Sequence, residues 1–335
     1  MIRDVLAKLI DGQDLPPEAV EATMTAILGG EANAAQIAAF LVAMRMKGET
    51  AGEVAAAARV MRAHAVPVKV NRPPPILDTC GTGGDHSGSF NISTTAAIVA
   101  AACGVTVAKH GNRAASSRAG SADVLDALGV DMALPPERVG ACIDEIGIGF
   151  VFARAHHPAM RHAAPVRTDI GVRTLFNLLG PLCNPAGPTH QVLGVADAGQ
   201  QQLVADVLCE LGSQGAWVVH GEGGLDEVSL AGSTRVALVR DGRVSWSEVV
   251  PSDFGVATAP LEALRGGGAK DNAAIVQGVL AGEAGPRRDA VLINTAAALC
   301  AAGVAASPRE GAEQAAKAID SGAARAKLDA WAGFH

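Results

Sequence analysis

The run Asp78-Thr79-Cys80-Gly81-Thr82-Gly83-Gly84-Asp85 follows three prolines and the short apolar pair Ile76-Leu77. It precedes Asn91-Ile92-Ser93-Thr94-Thr95, which opens an Ala-rich run to Ala102. That order reads as a strand, a glycine loop and a helix N-terminus. Such a loop lets backbone amides approach an anion, and the helix start adds unpaired N–H groups and partial positive charge. The hydroxyls of Ser93 and Thr94 extend the same donor set, so a phosphate-bearing ligand is the first reading. The alternative is a tight turn before a helix, which a glycine cluster alone fits as well. A dinucleotide fingerprint is excluded, because His86 stands where its third glycine belongs. A Walker loop is excluded too, since no lysine lies between Lys69 and Lys109.

A second polar cluster, Lys109-His110-Gly111-Asn112-Arg113-Ala114-Ala115-Ser116-Ser117, follows the β-branched run Val105–Ala108. In a parallel sheet, loops at strand ends form the ligand crevice. Cations, an amide and hydroxyls there suit a phosphate or a carboxylate; a solvated basic turn is the plainer reading. A third cluster, Gly221-Glu222-Gly223-Gly224-Leu225-Asp226-Glu227, leaves the strand-like Trp217-Val218-Val219-His220. Adjacent carboxylates at a strand exit suit magnesium, which takes one or two carboxylates plus phosphate oxygens. A glycine-rich loop is also expected to be a poor packing centre. An acidic solvated turn is the competing reading.

Around these clusters the chain alternates. Residues 1–70 read as helices: Val5, Leu6, Leu9 and Ile10 share helical spacing, Pro16-Pro17 and Gly29-Gly30 bracket a second segment, and Ile37, Phe40, Leu41 and Met44 mark a third. Thr50-Ala51-Gly52-Glu53 resembles a capping box before a fourth helix ending near His64. Residues 71–335 carry candidate strands at Ile76–Thr79, Val105–Lys109, Ile148–Phe152, Gln191–Val195 and Trp217–His220. Between them lie helical runs at Ala119–Leu128, Glu137–Ile146 and Gln200–Leu211. The fold class is α/β: a small N-terminal helical domain plus a larger α/β domain with a mainly parallel sheet flanked by helices. Thr234–Arg240 and Arg243–Val250, joined by Asp241-Gly242, read as an edge hairpin. The stretch from Ala269 to Trp331 reads as Ala-rich helix with little chemistry.

Hydrophobic content is 49% but aromatics are only 3%, with no tyrosine, so Ala, Val, Leu and Ile must build the core. The formal net charge of -7 argues against a general nucleic-acid binder while leaving room for a local basic pocket. The cysteines, at 80, 103, 142, 183, 209 and 300, have no paired spacing and read as reduced structural thiols. No signal peptide and no apolar run of spanning length is expected, so the reading is a cytoplasmic enzyme without a membrane partner.

Together with Val172-Arg173-Thr174-Leu175-Phe176-Asn177-Leu178-Leu179-Gly180-Pro181-Leu182, the three clusters resemble those of the anthranilate phosphoribosyltransferases, in order and spacing over the whole chain. His86 and Cys183 depart from it, standing where a small residue and a threonine are expected. The resemblance implies transfer of a phosphoribosyl group from 5-phosphoribosyl 1-diphosphate to the amine of anthranilate, in tryptophan biosynthesis. It implies a diphosphate-sugar site made of Gly81, Gly84, Asp85, Ser89, Asn91, Ile92, Ser93, Thr94, the run Lys109, His110, Gly111, Asn112, Arg113, Ala114, Ala115, Ser116 and Ser117, and Ser121. It implies an anthranilate site of Gly81, Asn112 and Arg167, and two Mg2+ ions per substrate-loaded site on Ser93, Asp226 and Glu227. No general base is assigned. A homodimer through the helical domain is implied, with residues 158–182 returning to that domain or its hinge; association with anthranilate synthase is left open. His110, His156 and His157 are weaker candidates for lining the aromatic pocket. Arg161 and Arg173 are the residues to be confused with Arg167.

Two rivals share the architecture. A pyrimidine nucleoside phosphorylase should lack the Asp226-Glu227 pair and this form of glycine loop. A non-enzymatic nucleic-acid-binding relative would call for exposed basic surface.

Overall fold

The computed structural model describes residues 2–114 and 118–335; Ala115, Ser116 and Ser117 of the second cluster lie outside the described residues. Four helices open the chain: α1 (Ile2–Ile10), α2 (Pro17–Leu28), α3 (Ala34–Lys47) and α4 (Ala51–Ala63). Thr50 and Glu53 form the capping box of α4. The Glu53 carboxylate also accepts the Leu15 N–H at 2.8 Å and a bond from Lys47 Nζ at 2.9 Å, so one buried side chain ties three segments together.

Seven strands follow: β1 (Ile76–Gly81), β2 (Thr106–Gly111), β3 (Ile148–Phe152), β4 (His190–Gly194), β5 (Gly215–Gly221), β6 (Thr234–Arg240) and β7 (Arg243–Val249). They form one sheet in the order β3-β2-β1-β4-β5-β6-β7. The first five in that order are parallel; β6 and β7 are the antiparallel edge hairpin. Asp241 and Gly242 take φ of 52° and 68°, the left-handed pair a two-residue hairpin requires. The connecting helices are α5 (Ile92–Ala102), α6 (Ser121–Ala127), α7 (Pro136–Ile146), α8 (Ala153–His156), α9 (Ala164–Ile170), α10 (Leu175–Leu182) and α11 (Gln201–Glu210). The chain closes with α12 (Ala269–Leu280), α13 (Pro286–Ala301), α14 (Pro308–Asp320) and α15 (Ala323–Ala332). No described helix is long and apolar enough to cross a membrane.

The five parallel strands are buried on both faces, which is why they read as nearly continuous apolar runs, whereas the edge strand β7 is largely exposed. Side chains alternate along β5: Trp217 and Val219 enter the core built with α5 and α12–α15. Ala216 and Val218 enter the core shared with α2–α4 and α9–α11. On that second face α9 packs on α3 and α10 on α4.

From β1 the chain steps outward to β2 and β3, then returns with β4 on the other side of β1. The strand order therefore reverses between β1 and β4, whose last residues Gly81 and Gly194 are register partners. A crevice at the carboxyl ends of strands opens at such a point. The structure corrects one expectation here. Strand β2 runs on through Gly111, so His110 joins Lys109 in the strand, 6% and 2% exposed, and is not a member of a loop. The reason is buried beneath: Asp78 accepts the His110 N–H at 3.0 Å and is itself held by Asn184 Nδ2 at 3.0 Å.

Candidate active site at the switch point

The glycine loop begins at the end of β1. Gly83, Gly84, His86 and Gly88 all have positive φ, between 53° and 84°, so the chain coils tightly with its amides turned inward. The Thr82 N–H donates to the Gly194 carbonyl at 2.9 Å, and the Gly83 N–H donates to Asp226 Oδ2 at 3.0 Å. The N–H groups of Gly84 and Asp85 make no hydrogen bond among the described residues. They are the donors the loop still offers to an anion.

Asp226 and Glu227 sit directly across from this loop. Glu227 Oε1 accepts the Ser93 N–H at 3.1 Å, at the first turn of α5. The segment is closely packed, which corrects the expectation that this loop is a poor packing centre: a Cβ at Gly194 would collide with the Asp226 carbonyl oxygen. Burial, then the nearby Asp85 charge, pushes the Asp226 carboxyl up to about 7. Burial, then Asp226 itself, pushes Glu227 up to about 8. Lys109 offsets part of this from below; its Nζ donates to the Thr79 carbonyl and, at 3.3 Å, to the Thr79 hydroxyl. Burial lowers the Lys109 ammonium, and the Asp78, Cys80 and Glu227 charges hold it up.

This donor set fits a divalent cation. The Asp85 charge raises Asp226 and the Asp226 charge raises Glu227, and the Thr94 hydroxyl, in the same first turn of α5 as Ser93, is buried without a partner. Among the described residues no group of three or more His, Cys, Asp or Glu side chains forms a ready metal cage. Magnesium suits such a partial set because it keeps water and phosphate oxygens as its other ligands.

Two recesses meet at the loop. The larger, about 570 Å³, is lined by Gly81 and Thr82 on the loop side and by Met61, Met160, Phe176 and Pro181 on the apolar side. Arg154, Arg161 and Arg167 bring three cations to it. None of the three pairs with a carboxylate among the described residues. Arg167 lies with its guanidinium 5.3 Å from the Phe176 ring centroid, and burial lowers its pKa. An apolar slot with a half-buried guanidinium that has no carboxylate partner among the described residues suits a flat anion. Arg173, by contrast, bonds the glycine loop itself, at the Gly83 carbonyl (2.9 Å) and the Thr82 carbonyl (3.3 Å).

Histidines floor the same recess. His110 Nδ1 is 3.1 Å from the Gly180 carbonyl, which assigns the proton to that nitrogen. Nε2 of His110 and of His157 is buried without a partner, and the two rings lie 5.4 Å apart. Burial and the neighbouring imidazoles push His110 down to about 3 and His157 to about 4, so both are neutral bases in the working range.

Asn112 lines the large recess from the end of β2. Arg113 turns away and pairs with Asp123 at 2.8 Å and Asp126 at 3.2 Å on α6. Asp123 Oδ2 accepts the N–H of Ala114 and of Gly120, both at 2.9 Å, and so ties these two residues to the start of α6. Ser121 Oγ reaches the Asn112 carbonyl at 3.5 Å.

The smaller recess, about 210 Å³, has Gly84, Asp85, Ser89, Arg118 and Asn272 in its wall. Asn272 had no local signal: it is one of several polar residues on α12. Its Nδ2 donates to Asn91 Oδ1 at 2.9 Å and its Oδ1 accepts the Gly267 N–H at 2.7 Å, fixing Asn91 at the mouth of α5. Ile92 and Thr94, both 1% exposed, pack beneath the loop with their side chains inside. Gly81, Asn112, Arg167 and His110 thus line the larger recess and Gly84, Asp85 and Ser89 the smaller, while Asp226 holds the Gly83 N–H, Glu227 the Ser93 N–H and Asn272 the Asn91 side chain.

The helical-bundle domain of a glycosyl transferase family matches residues 3–65, and the a/b domain of that family matches residues 73–325. An anthranilate phosphoribosyltransferase from Syntrophotalea carbinolica is 54% identical over 345 residues, covering 98% of each chain. The structure of anthranilate phosphoribosyltransferase from Thermus thermophilus superposes with a TM-score of 0.94 at 50% identity, covering 99% of each chain. The Saccharomyces cerevisiae enzyme in complex with PRPP and Mg gives 0.90 at 30% identity, over 98% of this chain and 96% of its own. In complex with 4-fluoroanthranilate the yeast enzyme gives 0.88 at 29%, over 99% and 96%.

Proposed function

The chain belongs to the anthranilate phosphoribosyltransferase family, and we infer from that premise how its own residues carry the reaction. It transfers the 5-phosphoribosyl group of 5-phosphoribosyl 1-diphosphate to the amine of anthranilate, a step of tryptophan biosynthesis. The C1–O bond to diphosphate breaks, a C1–N bond forms, and the amine nitrogen releases one proton. The observation that carries this reading is the position of Gly81. It lines the apolar, arginine-bearing recess and also abuts the Asp226 carboxylate. A sugar C1 held there lies between a flat acid and a diphosphate.

The free amides of Gly84 and Asp85, with Ser89, Asn91 and the α5 N-terminus, bind the diphosphate end. Magnesium would be held by Asp226, Glu227 and Ser93, and would supply positive charge to the departing diphosphate oxygens. We propose two ions per loaded site. Lys109 supports this end from beneath as a counter-charge to Glu227. Arg167 holds the anthranilate carboxylate, since a guanidinium matches it with two parallel hydrogen bonds. Asn112 and the apolar wall fix the ring. The aromatic amine is already neutral, so the task left to the protein is alignment with C1.

We read the chain as two domains, residues 1–70 and 71–335, with residues 158–182 packed back on the first. The contacts of α9 with α3 and of α10 with α4 support that reading. Exposed Ile10 and Met46 on the helical domain, 78% and 83% exposed, support a homodimer formed through it. A cytoplasmic enzyme fits its free cysteines. Loss of anthranilate fluorescence on mixing with phosphoribosyl diphosphate and Mg2+ tests the function. Turnover of a pyrimidine nucleoside with phosphate instead, or salt-dependent DNA binding without turnover, would replace it with one of the two rivals.

A further inference from the structure

Arg173 takes no part in the groups assigned above to either substrate. It lies in the short link between α9 and α10, on the exposed side of the glycine loop. Its two terminal nitrogens reach consecutive carbonyls, Nη1 to Gly83 and Nη2 to Thr82. Gly84 leaves room for this: with φ of +84°, a Cβ there would collide with Arg173 Nη1.

A trans peptide is planar, and its N–H points opposite to its C=O. The Thr82–Gly83 peptide therefore has its carbonyl on Arg173 and its N–H on Asp226 Oδ2, at 3.3 Å and 3.0 Å. The next peptide has the Gly83 carbonyl on Arg173 at 2.9 Å, and its Gly84 N–H points away, free among the described residues. One guanidinium thus sets the direction of two amides. The first steadies an acidic side chain of the cation site, and the second is a donor to the anion. A glycine-rich loop has no side-chain packing of its own to do this.

We propose that Arg173 is a positioning residue for the diphosphate end of the site, aiming the Gly83 and Gly84 amides by holding the two carbonyls behind them. The inference rests on the functional reading above. Arg167 sits on α9 and Arg173 three residues beyond the end of that helix, so the two arginines share one short stretch of backbone.

Calorimetric titration of Mg2+–phosphoribosyl diphosphate into the full chain, without anthranilate and without turnover, tests this. Wild type should bind; no binding at all would remove the functional reading itself. Arg173→Ala should bind on the order of tenfold more weakly, the loss expected for a charge-assisted contact and a misaimed amide. Arg173→Lys should fall between, because an ammonium cannot span two carbonyls as a planar fork does. Guanidinium ion at millimolar concentration should restore part of the Arg173→Ala loss and leave wild type unchanged. Steady-state assays should show the KM for phosphoribosyl diphosphate raised more than that for anthranilate. Wild-type affinity in Arg173→Ala overturns the proposal. So does wild-type affinity in Arg173→Lys, which serves if the alanine variant does not fold.

Discussion

Asp226 Oδ2 occupies the place where a side chain on Gly81 would begin. A Cβ at Gly81 would stand 2.5 Å from that oxygen, which also accepts the Gly83 N–H at 3.0 Å. Gly81 does not have positive φ, so its requirement is space and not backbone freedom. Gly81→Ala should push the carboxylate off the loop and lower Mg2+-dependent turnover about tenfold or more, by losing one charge-assisted hydrogen bond. The melting temperature should move little, because the site is at a strand end. An alanine variant with an unchanged Mg2+ requirement would show that Asp226 is free to shift.

The acidic pair can be tested without removing its bulk. Asp226→Asn and Glu227→Gln keep an oxygen for the Gly83 and Ser93 amides but discard the charge. Turnover at saturating anthranilate should fall on the order of 10²-fold or more, because charge building on the leaving group loses its support. Stability should respond to pH with a definite sign. Both carboxyls are raised in the folded chain, to about 7 and about 8, so the folded state binds protons more tightly than the unfolded one. Their contribution is present in acid and is lost as pH rises from about 4 through 8. Mg2+ with diphosphate should therefore raise the melting temperature more at pH 8.5 than at pH 6. Equal increments would place the cation elsewhere.

The strand, glycine loop and helix of residues 76–102 were legible because they are local: one short apolar run, one glycine cluster and one helix start in sequence. The acidic pair was legible for the same reason. What supports them was not. Asn272 meets Asn91 across 181 positions, Arg173 meets Gly83 across 90, and Asp226 meets Gly83 across 143. No periodicity or spacing within a window carries those pairings. His110 and Gly111 were placed beyond the strand because polar residues after a β-branched run resemble a strand exit. Only the buried Asp78, on the neighbouring strand, makes their place inside the sheet favourable.

His110 and His157 predict the acid limb of stability. Their folded values, about 3 and about 4, lie below the 6.5 of an unfolded histidine. Between these values the unfolded chain takes up protons that the folded chain refuses. Stability is then lost as pH falls below 6.5, at up to about 1.4 kcal/mol per pH unit for each ring. Denaturant midpoints for His157→Gln should fall less steeply between pH 6.5 and 4.5 than those of wild type. Parallel slopes would mean that the ring titrates normally.

Assembly has its own measurement. Light scattering at micromolar concentration should report twice the chain mass of 33.8 kDa. Met46→Glu, placing a charge on the exposed face of α3, should shift the population toward monomer while leaving the folded helices intact. A fully active wild-type monomer would reject the dimer and leave the chemistry untouched, since both recesses belong to one chain.

Arg167 separates the two substrates. It stands in the apolar recess above Phe176, without a carboxylate partner among the described residues, whereas the diphosphate donors lie on the other side of Gly81. Partial burial already disfavours its charge, so an incoming carboxylate gains from pairing with it. Removing one side of such a pair costs on the order of 2–3 kcal/mol. Arg167→Ala should accordingly raise the KM for anthranilate by about tenfold to a hundredfold and that for phosphoribosyl diphosphate far less. Arg167→Lys should recover only part, because an ammonium offers no planar fork. Lys109→Ala should show the opposite bias, for Lys109 lies beneath the phosphate loop and balances Glu227. Arg154 and Arg161 line the same recess, so each should be replaced in turn as a control for general loss of positive charge. If Arg167→Ala mainly weakens phosphoribosyl diphosphate, or if Arg161→Ala reproduces its effect in full, the carboxylate does not sit on Arg167.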